Sequence, residues 1–529
     1  MGGMIVRHWT RLITLLIAGL ALAPAWPAAV GAPVRDTFNF GSITKVASLD
    51  PHRITSGWDQ YLLAYVYDVL VGRKKGSSEP DPRLAVSWRV SPNARVYTLK
   101  LRERVKFHDG SDFNAEAVRY SIERANHFKV GAGWVLEDVE KFEVVDPATV
   151  RFTLKQPNAL FLSWLDSLFI VSPAHVRKNE RRPGDYAADF YADGANGTGP
   201  YRVTQRIPGD KVFLERFDGY WNGWQPKHFR RIVQWEVGEA TTQRLMLERG
   251  ELDAIRLFSS DDVRAMRRSA DLVINETPST NQFYIRLNMA QGPTTDARVR
   301  KALAYAFDFK LFYQIEDQFG PSDGPCVSEF MDGWKPSGLI NEANMSRAQQ
   351  LLREAGVGPF RITFLYPTGV EWERRAAEIW QNNLKQLGVT VDIRTQTWPT
   401  MFAKLVAWKD TRDTATMENS YGQLWGVRYA DTHAYLNFMY RSDAIGGAGR
   451  NMMYYNNPEV DRMIDQATLQ PSVKARVDMY KRACQMVTDE APDIFVGRSL
   501  MRLPMRKDVK GFYFDKLDWR IPFHQMWRE

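Results

Sequence analysis

Over residues 84–124, apolar and polar positions first alternate and then recur at helical spacing. Tyr97, Leu99 and Leu101 alternate with Thr98, Lys100 and Arg102, the period of a strand with one buried face. The turn Ser91-Pro92-Asn93-Ala94 joins this run to Trp88-Arg89-Val90, which predicts a hairpin. Val105 and Phe107 continue the apolar face up to Asp109-Gly110, and Asn114 is placed to cap a helix with Val118, Ile122 and Ala125 on one side. A second hairpin is predicted around Asp146-Pro147-Ala148-Thr149, completing a small α+β unit.

The pattern on either side is different. A strand over 36–46 leads through a loop to 60–70, where Leu63, Val66, Tyr67 and Leu70 have helical spacing. Further on, helices over 346–355, 371–387 and 473–490 alternate with strands over 360–366 and 389–395, and strand-like runs recur at 494–496 and 512–514. Alternating strands and helices predict a largely parallel α/β lobe. With 529 residues the chain is too long for one core, so the expected fold class is α/β in two or three lobes.

The first residues give an address. Arg7 and Arg11 precede the apolar run 12–22, and small residues follow from Ala23 to Ala29, the order of a secretory signal peptide. The run is shorter than the roughly 20 residues needed to span a bilayer. No cysteine lies near the cleavage region, so a lipid anchor is not expected, and cuts after Ala25, Ala29 and Ala32 all fit. The expectation is a soluble periplasmic protein. The formal charge of +8 falls to +6 without Arg7 and Arg11, and the densest basic run, Arg177 to Arg182, includes Glu180, so no nucleic-acid partner is expected. Cys326 and Cys484 form a disulfide or are two separate small core residues; spacing does not decide.

Catalytic signatures are missing. There is no nucleophile elbow, no His-Glu-x-x-His, no paired cysteines spaced for zinc and no dinucleotide fingerprint. The histidines are isolated, and the glycines of Asn196-Gly197-Thr198-Gly199 lack the lysine of a phosphate loop. Neither an enzyme nor a cofactor or metal is expected; the alternatives are a secreted hydrolase built from scattered residues and an accessory protein on the same scaffold.

The string W-x-V-S-P-N-x-x-x-Y-T-x-x-L-R-x-x-V-K-F-H-D-G, from Trp88 to Gly110, resembles family 5 of the bacterial extracellular solute-binding proteins, the dipeptide-, oligopeptide- and nickel-binding components of ABC importers. Gly197-Thr198-Gly199-Pro200-Tyr201, the run Asp296 to Asp308 and Tyr454 to Asp461 resemble the family in the same order. The resemblance implies a two-lobed periplasmic-binding-protein fold with an extra small α+β domain. The implied division is a signal peptide over 1–32, lobe I over 33–70, the small domain over 71–195, lobe I again over 196–285, lobe II over 286–491 and a return to lobe I over 492–529. Crossings between lobes are expected near 197–201 and 285–288. It also implies a small-molecule solute, a membrane permease as partner and a monomer.

Two regions carry the candidate ligand contacts. Ser56, Gly57 and Trp58 follow the first strand, and open α/β sheets hold ligands at the carboxyl ends of strands; in the family this loop faces the cleft. In peptide-binding relatives a string like W-x-x-D-Y-x-D-P-x-x-F-L holds the peptide's ammonium on its first aspartate. Aligning Trp425, Tyr429 and Asp431 puts Arg428 at that position. A guanidinium repels an ammonium and favours a carboxylate, a phosphate or a polyhydroxy group, unless Arg428 pairs with Asp431 or Glu418 as structure. The loop from Tyr366 to Trp372 offers an arginine in dipeptide binders and none here, leaving Tyr366 and Trp372 as ligand walls or core. The expected solute is an anionic or polyhydroxy conjugate or a modified peptide; ordinary di- or oligopeptides are the runner-up, with Asp59 or Glu418 replacing the lost acid.

Overall fold

The computed structural model describes residues 36–42, 46–54, 61–256, 259–411, 418–426, 429–445, 451–515 and 520–529. The predicted hairpin pairs Ala85–Val90 with Val96–Leu101, with Trp88 opposite Leu99, and Thr149–Leu154 and Val139–Asp146 complete a four-stranded antiparallel sheet. Asn114 caps Ala115–Phe128 by accepting from the backbone N–H groups of Glu116 and Ala117. Tyr97, Leu99 and Leu101 from the sheet and Val118 and Ile122 from the helix bury into one core, as their spacing requires.

A second, eleven-stranded sheet organises the rest. Its middle is the antiparallel pair Leu272–Leu287 and Asp493–Arg506. On one side lie Ala254–Ile255, Thr37–Ser42 and Arg231–Glu236, mutually parallel. On the other lie Ser420–Trp425, Phe360–Pro367 and Val389–Gln396, also mutually parallel. The central pair changes register between Pro278 and Gln282. Before the break its strands belong to the first half of the sheet, and beyond it to the second.

At the break, around Ser279-Thr280-Asn281 and the facing Ser499, Ser279 Oγ lies 2.8 Å from Ser499 Oγ. Ile285 already lies inside the second half, opposite Ile494 and Gly422. The expected crossing near 197–201 stays in the first half. There Gly199 and Tyr201 donate to the carbonyls of Val66 and Tyr65, and a Cβ at Gly197 would sit 2.2 Å from the Val66 carbonyl oxygen. The same bonds explain why the helical spacing of 60–70 does not yield a helix through Leu70: from Tyr65 the backbone serves this strand-like pairing instead. The tail also differs from expectation. Asp493–Arg506 is one 14-residue strand, and 512–514 is not a strand; Phe512 and Phe514 pack edge to face at 4.7 Å.

The small domain is fastened to the first half by a buried cluster. Arg124, from the helix, donates from Nη1 and Nη2 to the two carboxylate oxygens of Asp50 at 2.7 and 2.8 Å, with both side chains fully buried. His52 Nδ1 accepts from the same guanidinium at 3.2 Å, so its Nε2–H donates to the Phe169 carbonyl at 2.8 Å. Burial, and then the Arg124 charge, lower the His52 pKa to about 4. In the second half, Cys326 and Cys484 form a disulfide joining the loop after Phe319–Gly320 to the helix Val473–Glu490.

Two predictions follow from this packing. The Cys326→Ser/Cys484→Ser protein should lose about 3–5 kcal/mol of stability in urea unfolding, because the bridge closes a loop of 158 residues; an unchanged midpoint would argue against the bond. His52 is held neutral, so between pH 6.5 and about 4 the unfolded chain takes up a proton that the folded chain refuses. The stability of the wild type relative to His52→Gln should therefore fall as pH drops through that window, by up to about 3 kcal/mol, and remain flat above pH 7.

Candidate functional site

Open α/β sheets bind ligands at the carboxyl ends of their parallel strands. In the first half these ends are Ser42, Glu236 and Ile255. They border a small depression, open to solvent, whose lining includes Phe40 and Phe523 and the polar groups of Ser42, Tyr61, Gln234 and Arg256. The Arg256 guanidinium lies over the Tyr61 ring, 4.6 Å from its centroid. Neighbouring Tyr65 is fixed in place, its hydroxyl accepting from the Ile521 N–H at 2.7 Å and its ring 4.5 Å from Phe523.

In the second half the corresponding ends are Pro367, Gln396 and Trp425. Tyr366 is 9% exposed and packs in the core beneath the helix Glu371–Lys385. Trp372 joins the same core, with its ring edge to face on Phe283 at 4.7 Å and near Phe319 at 5.1 Å. Trp425 lies on the opposite face of the sheet, in the cluster with Tyr284 and Tyr435. It stands opposite Gln282 at the register break, and a Cβ on Gly426 would collide with Asn281, so this strand ends tight against the crossing segment. Tyr366 and Trp372 are thus brought together and Trp425 is apart from them. Ser56, Gly57, Trp58 and Arg428 lie outside the described residues.

The acids around this strand end are already committed. Asp431 accepts from the His433 N–H at 2.9 Å and faces Arg476 at 3.4 Å. Glu418, 2% exposed, accepts from Lys404 at 2.5 Å and lies 3.5 Å from Arg394. Glu373, in the first turn of its helix, meets no cation; its carboxyl fills the space left by Gly422, and burial alone raises its pKa far above the carboxylate range. Tyr429 reaches from the second half to the small domain. Its ring stacks on Trp134 of the small domain at 5.8 Å and lies 6.1 Å from Trp164, and its hydroxyl meets His433 Nδ1. Burial, and then the charges of Arg441 and Arg476, lower the His433 pKa to about 3.

The first-half depression was not anticipated from the sequence. Its signal is a glutamine between Val233 and Trp235 in the strand Arg231–Glu236, and an arginine directly after the buried Ala254–Ile255. Such residues read equally well as ordinary surface until the strand ends are placed side by side. Among the described residues no group of three or more His, Cys, Asp or Glu could hold a metal, and no helix is long and apolar enough to cross a membrane.

This fold defines a two-lobed α/β binding protein with a small additional domain. Residues 79–447 match the family model described as bacterial extracellular solute-binding proteins, family 5 middle, and the chain belongs to that family. Over 510 residues it is 28% identical to the probable D,D-dipeptide-binding periplasmic protein DdpA of Escherichia coli K12, covering 95% of this chain and 96% of the relative. It is 27% identical to the glutathione-binding protein GsiB of the same strain, covering 96% of each. The solved structure of MoaA from A. tumefaciens R10, in complex with mannopinic acid, superposes with a TM-score of 0.77 at 21% identity, over 94% of this chain and 100% of that one. The chain is therefore a solute-binding protein of the ABC-importer class.

The Tyr429 stack ties the second half to the small domain. Aromatic pairs contribute about 0.5–1.5 kcal/mol beyond the area they bury. Trp134→Ala and Tyr429→Ala should each shift the solute-free protein toward more open forms, read as a larger radius of gyration in small-angle X-ray scattering. Scattering curves identical to wild type would show that the stack does not hold the two parts together.

Proposed function

We propose that the protein is a periplasmic receptor that closes its lobes on an anionic or polyhydroxy solute, or on a peptide without a free ammonium, and delivers it to a membrane permease. It is exported by the signal segment in 1–32, acts as a monomer and performs no chemistry on its cargo. Arg428 stands where the family's peptide binders carry the acid that holds an ammonium, and the observation that carries the reading is that its two possible structural partners are already paired. Asp431 has Arg476, and Glu418 has Lys404 and Arg394. A guanidinium suits an anion or a set of hydroxyls through its planar fork of donors. The fold neighbour that binds mannopinic acid supports a solute of this kind. Trp58, Trp425, Tyr366 and Trp372 remain proposed walls, with Ser56 and Gly57 beside them.

An ordinary di- or oligopeptide is the second reading, favoured by the relative described as D,D-dipeptide-binding. Glu418 is 2% exposed and doubly paired, which leaves Asp59 as the acid from the original pair that this reading would use.

Calorimetry on protein freed of co-purified solute separates the two. Mannopinic acid and N-acetylated dipeptides should bind more tightly than the matching free dipeptides, and Arg428→Ala should cost about 2–5 kcal/mol of that binding. Micromolar binding of free dipeptides that Arg428→Ala leaves unchanged would reverse the assignment. Native mass spectrometry should recover any bound solute chemically intact, whereas sustained turnover would make the protein an enzyme.

A further inference from the structure

We propose that residues 318–329 form a brace that replaces the broken ladder at the register shift, and that Asp323, acting through Arg498, and the Cys326–Cys484 bridge position the hinge on which the two halves close. The proposal rests on the reading of the chain as a receptor that closes its lobes, but not on which solute it holds.

Between Pro278 and Gln282 the strand Leu272–Leu287 loses its pairing with Asp493–Arg506. The second strand does not go unpaired there. Phe319 and Gly320 stand opposite Ser499 and Arg498 in an antiparallel pair, and the Leu500 N–H donates to the Gln318 carbonyl at 2.7 Å. Buried backbone groups need partners, so this short strand lets one side of the ladder run unbroken past the point where the other lets go. The approach is close, since a Cβ on Gly497 would sit 2.9 Å from the Gly320 carbonyl oxygen.

The far end of the brace holds the break from the side of the second half. Gln282 Oε1 accepts from Ser322 Oγ at 2.7 Å and from the Asp323 N–H at 3.0 Å, and its Nε2 donates to the Gly324 carbonyl at 3.1 Å. Arg498, opposite Gln282, donates from Nη1 to Asp323 Oδ2 at 3.1 Å and from Nη2 to Glu329. Held in this way, it turns Nε to the carbonyl of Ser279, the first residue of the unpaired stretch. Asp323 is 2% exposed; it also accepts from Ser328 Oγ at 2.9 Å and meets Lys335 at 2.7 Å. Neutralising so buried an acid leaves Arg498 without a matched partner and frees its direction.

The brace is tied down on both sides of the break. Cys326 lies among these contacts, and its bond to Cys484 fastens the brace to the helix Val473–Glu490 of the second half. At its other end Asp317 accepts from Arg502 Nη1 at 2.9 Å, on the first-half side. A segment fixed covalently on one side of a hinge and by an ion pair on the other limits where the chain bends and how far.

The test reads the hinge in the full-length protein freed of solute. Nitroxides on Thr204→Cys and Thr390→Cys, exposed positions on the two edge strands of the large sheet, report the distance between the halves by double electron–electron resonance. Hydrogen exchange reports the amides of Asn281 and Leu500 at the break. Asp323→Asn and Cys326→Ser/Cys484→Ser should each widen the distance distribution and speed exchange of both amides about tenfold, with the ladder Phe360–Pro367 changing less than about twofold. Arg498→Lys, which keeps the charge and loses the Ser279 contact, should do the same and serves where a harsher variant does not fold. Leu384→Ala, in the core of the second half formed with Trp380 and Val389, should speed exchange of that ladder and leave the distribution and the break amides as in wild type. A distribution and break amides unchanged in both Asp323→Asn and Arg498→Lys overturn the brace, as does acceleration spread evenly over the second half. An effect of Asp323→Asn with none from the cysteine variant overturns the role given to the bridge. Because no solute is added, failure of the proposed solute class leaves each of these outcomes as it stands.

Discussion

Arg286 and Asp493 stand directly opposite one another on the two strands that join the halves of the large sheet, and both are fully buried. Arg286 Nε donates to Asp493 Oδ1 at 2.8 Å, and Tyr440 donates to the other oxygen at 2.7 Å. Two charges without water are tolerable only when both are paired and hydrogen-bonded, so this contact holds the register on the second-half side of the break. On the first-half side, Arg502 reaches Glu276 at 2.5 Å and Asp317 at 2.9 Å. Each half of the ladder is thus pinned separately, and the residues between, Ser279-Thr280-Asn281, sit at the shift in pairing. A short unladdered stretch between two rigid ladders is where a hinge motion can be absorbed without unpairing either half.

The small domain adds a second constraint. It is locked to the first half by Arg124 and Asp50, which leave no room for sliding because both oxygens of the carboxylate are taken. Within the first half, Asp68 accepts from Trp221 Nε1 and Thr198 Oγ1 at 2.9 Å each. Its attachment to the second half is of another kind. There the Tyr429 ring sits between Trp134 and Trp164, Ala434 and Phe438 pack into the same core, and the Ala159 N–H donates to the Thr468 carbonyl. The first junction is thus held by a buried ion pair and the second by apolar packing.

The sequence was most legible where a local pattern and a tertiary requirement agree. The hairpin from Trp88 to Leu101 and the Asn114 cap are short-range devices, and both are present. The glycines at 197 and 199 mark a close backbone approach, but which backbone they approach is a long-range fact. A polar Ser-Thr-Asn break inside a 16-residue strand reads as a loop in sequence, since nothing local says that the strand resumes. The tryptophans and tyrosines were ambiguous for a similar reason. Tyr366 and Trp372 could be walls or core, and Trp372 packs on Phe283 and Phe319, residues about 90 and 50 positions away. The first-half depression was missed because its polar groups come from three separated strands and a helix, with no motif to link them.

The ledger of buried acids bears on what the receptor can hold. Among the described residues, Asp50, Asp253, Glu316, Asp323, Glu418 and Asp493 each face a cation within ion-pair distance. Glu373 is kept neutral by burial, and Asp68, whose pKa burial raises to about 6, is committed to Trp221 and Thr198. A solute with a free ammonium must find a carboxylate that is ionised, reachable and not already neutralised, since an unpaired charge in a closed cleft is expensive. Glu236, Glu373 and Glu418 each keep one buried oxygen without a hydrogen bond, and Glu236 shares its strand with Gln234. Among the described residues, structural ion pairs therefore consume most of the buried acids that could otherwise receive a cation.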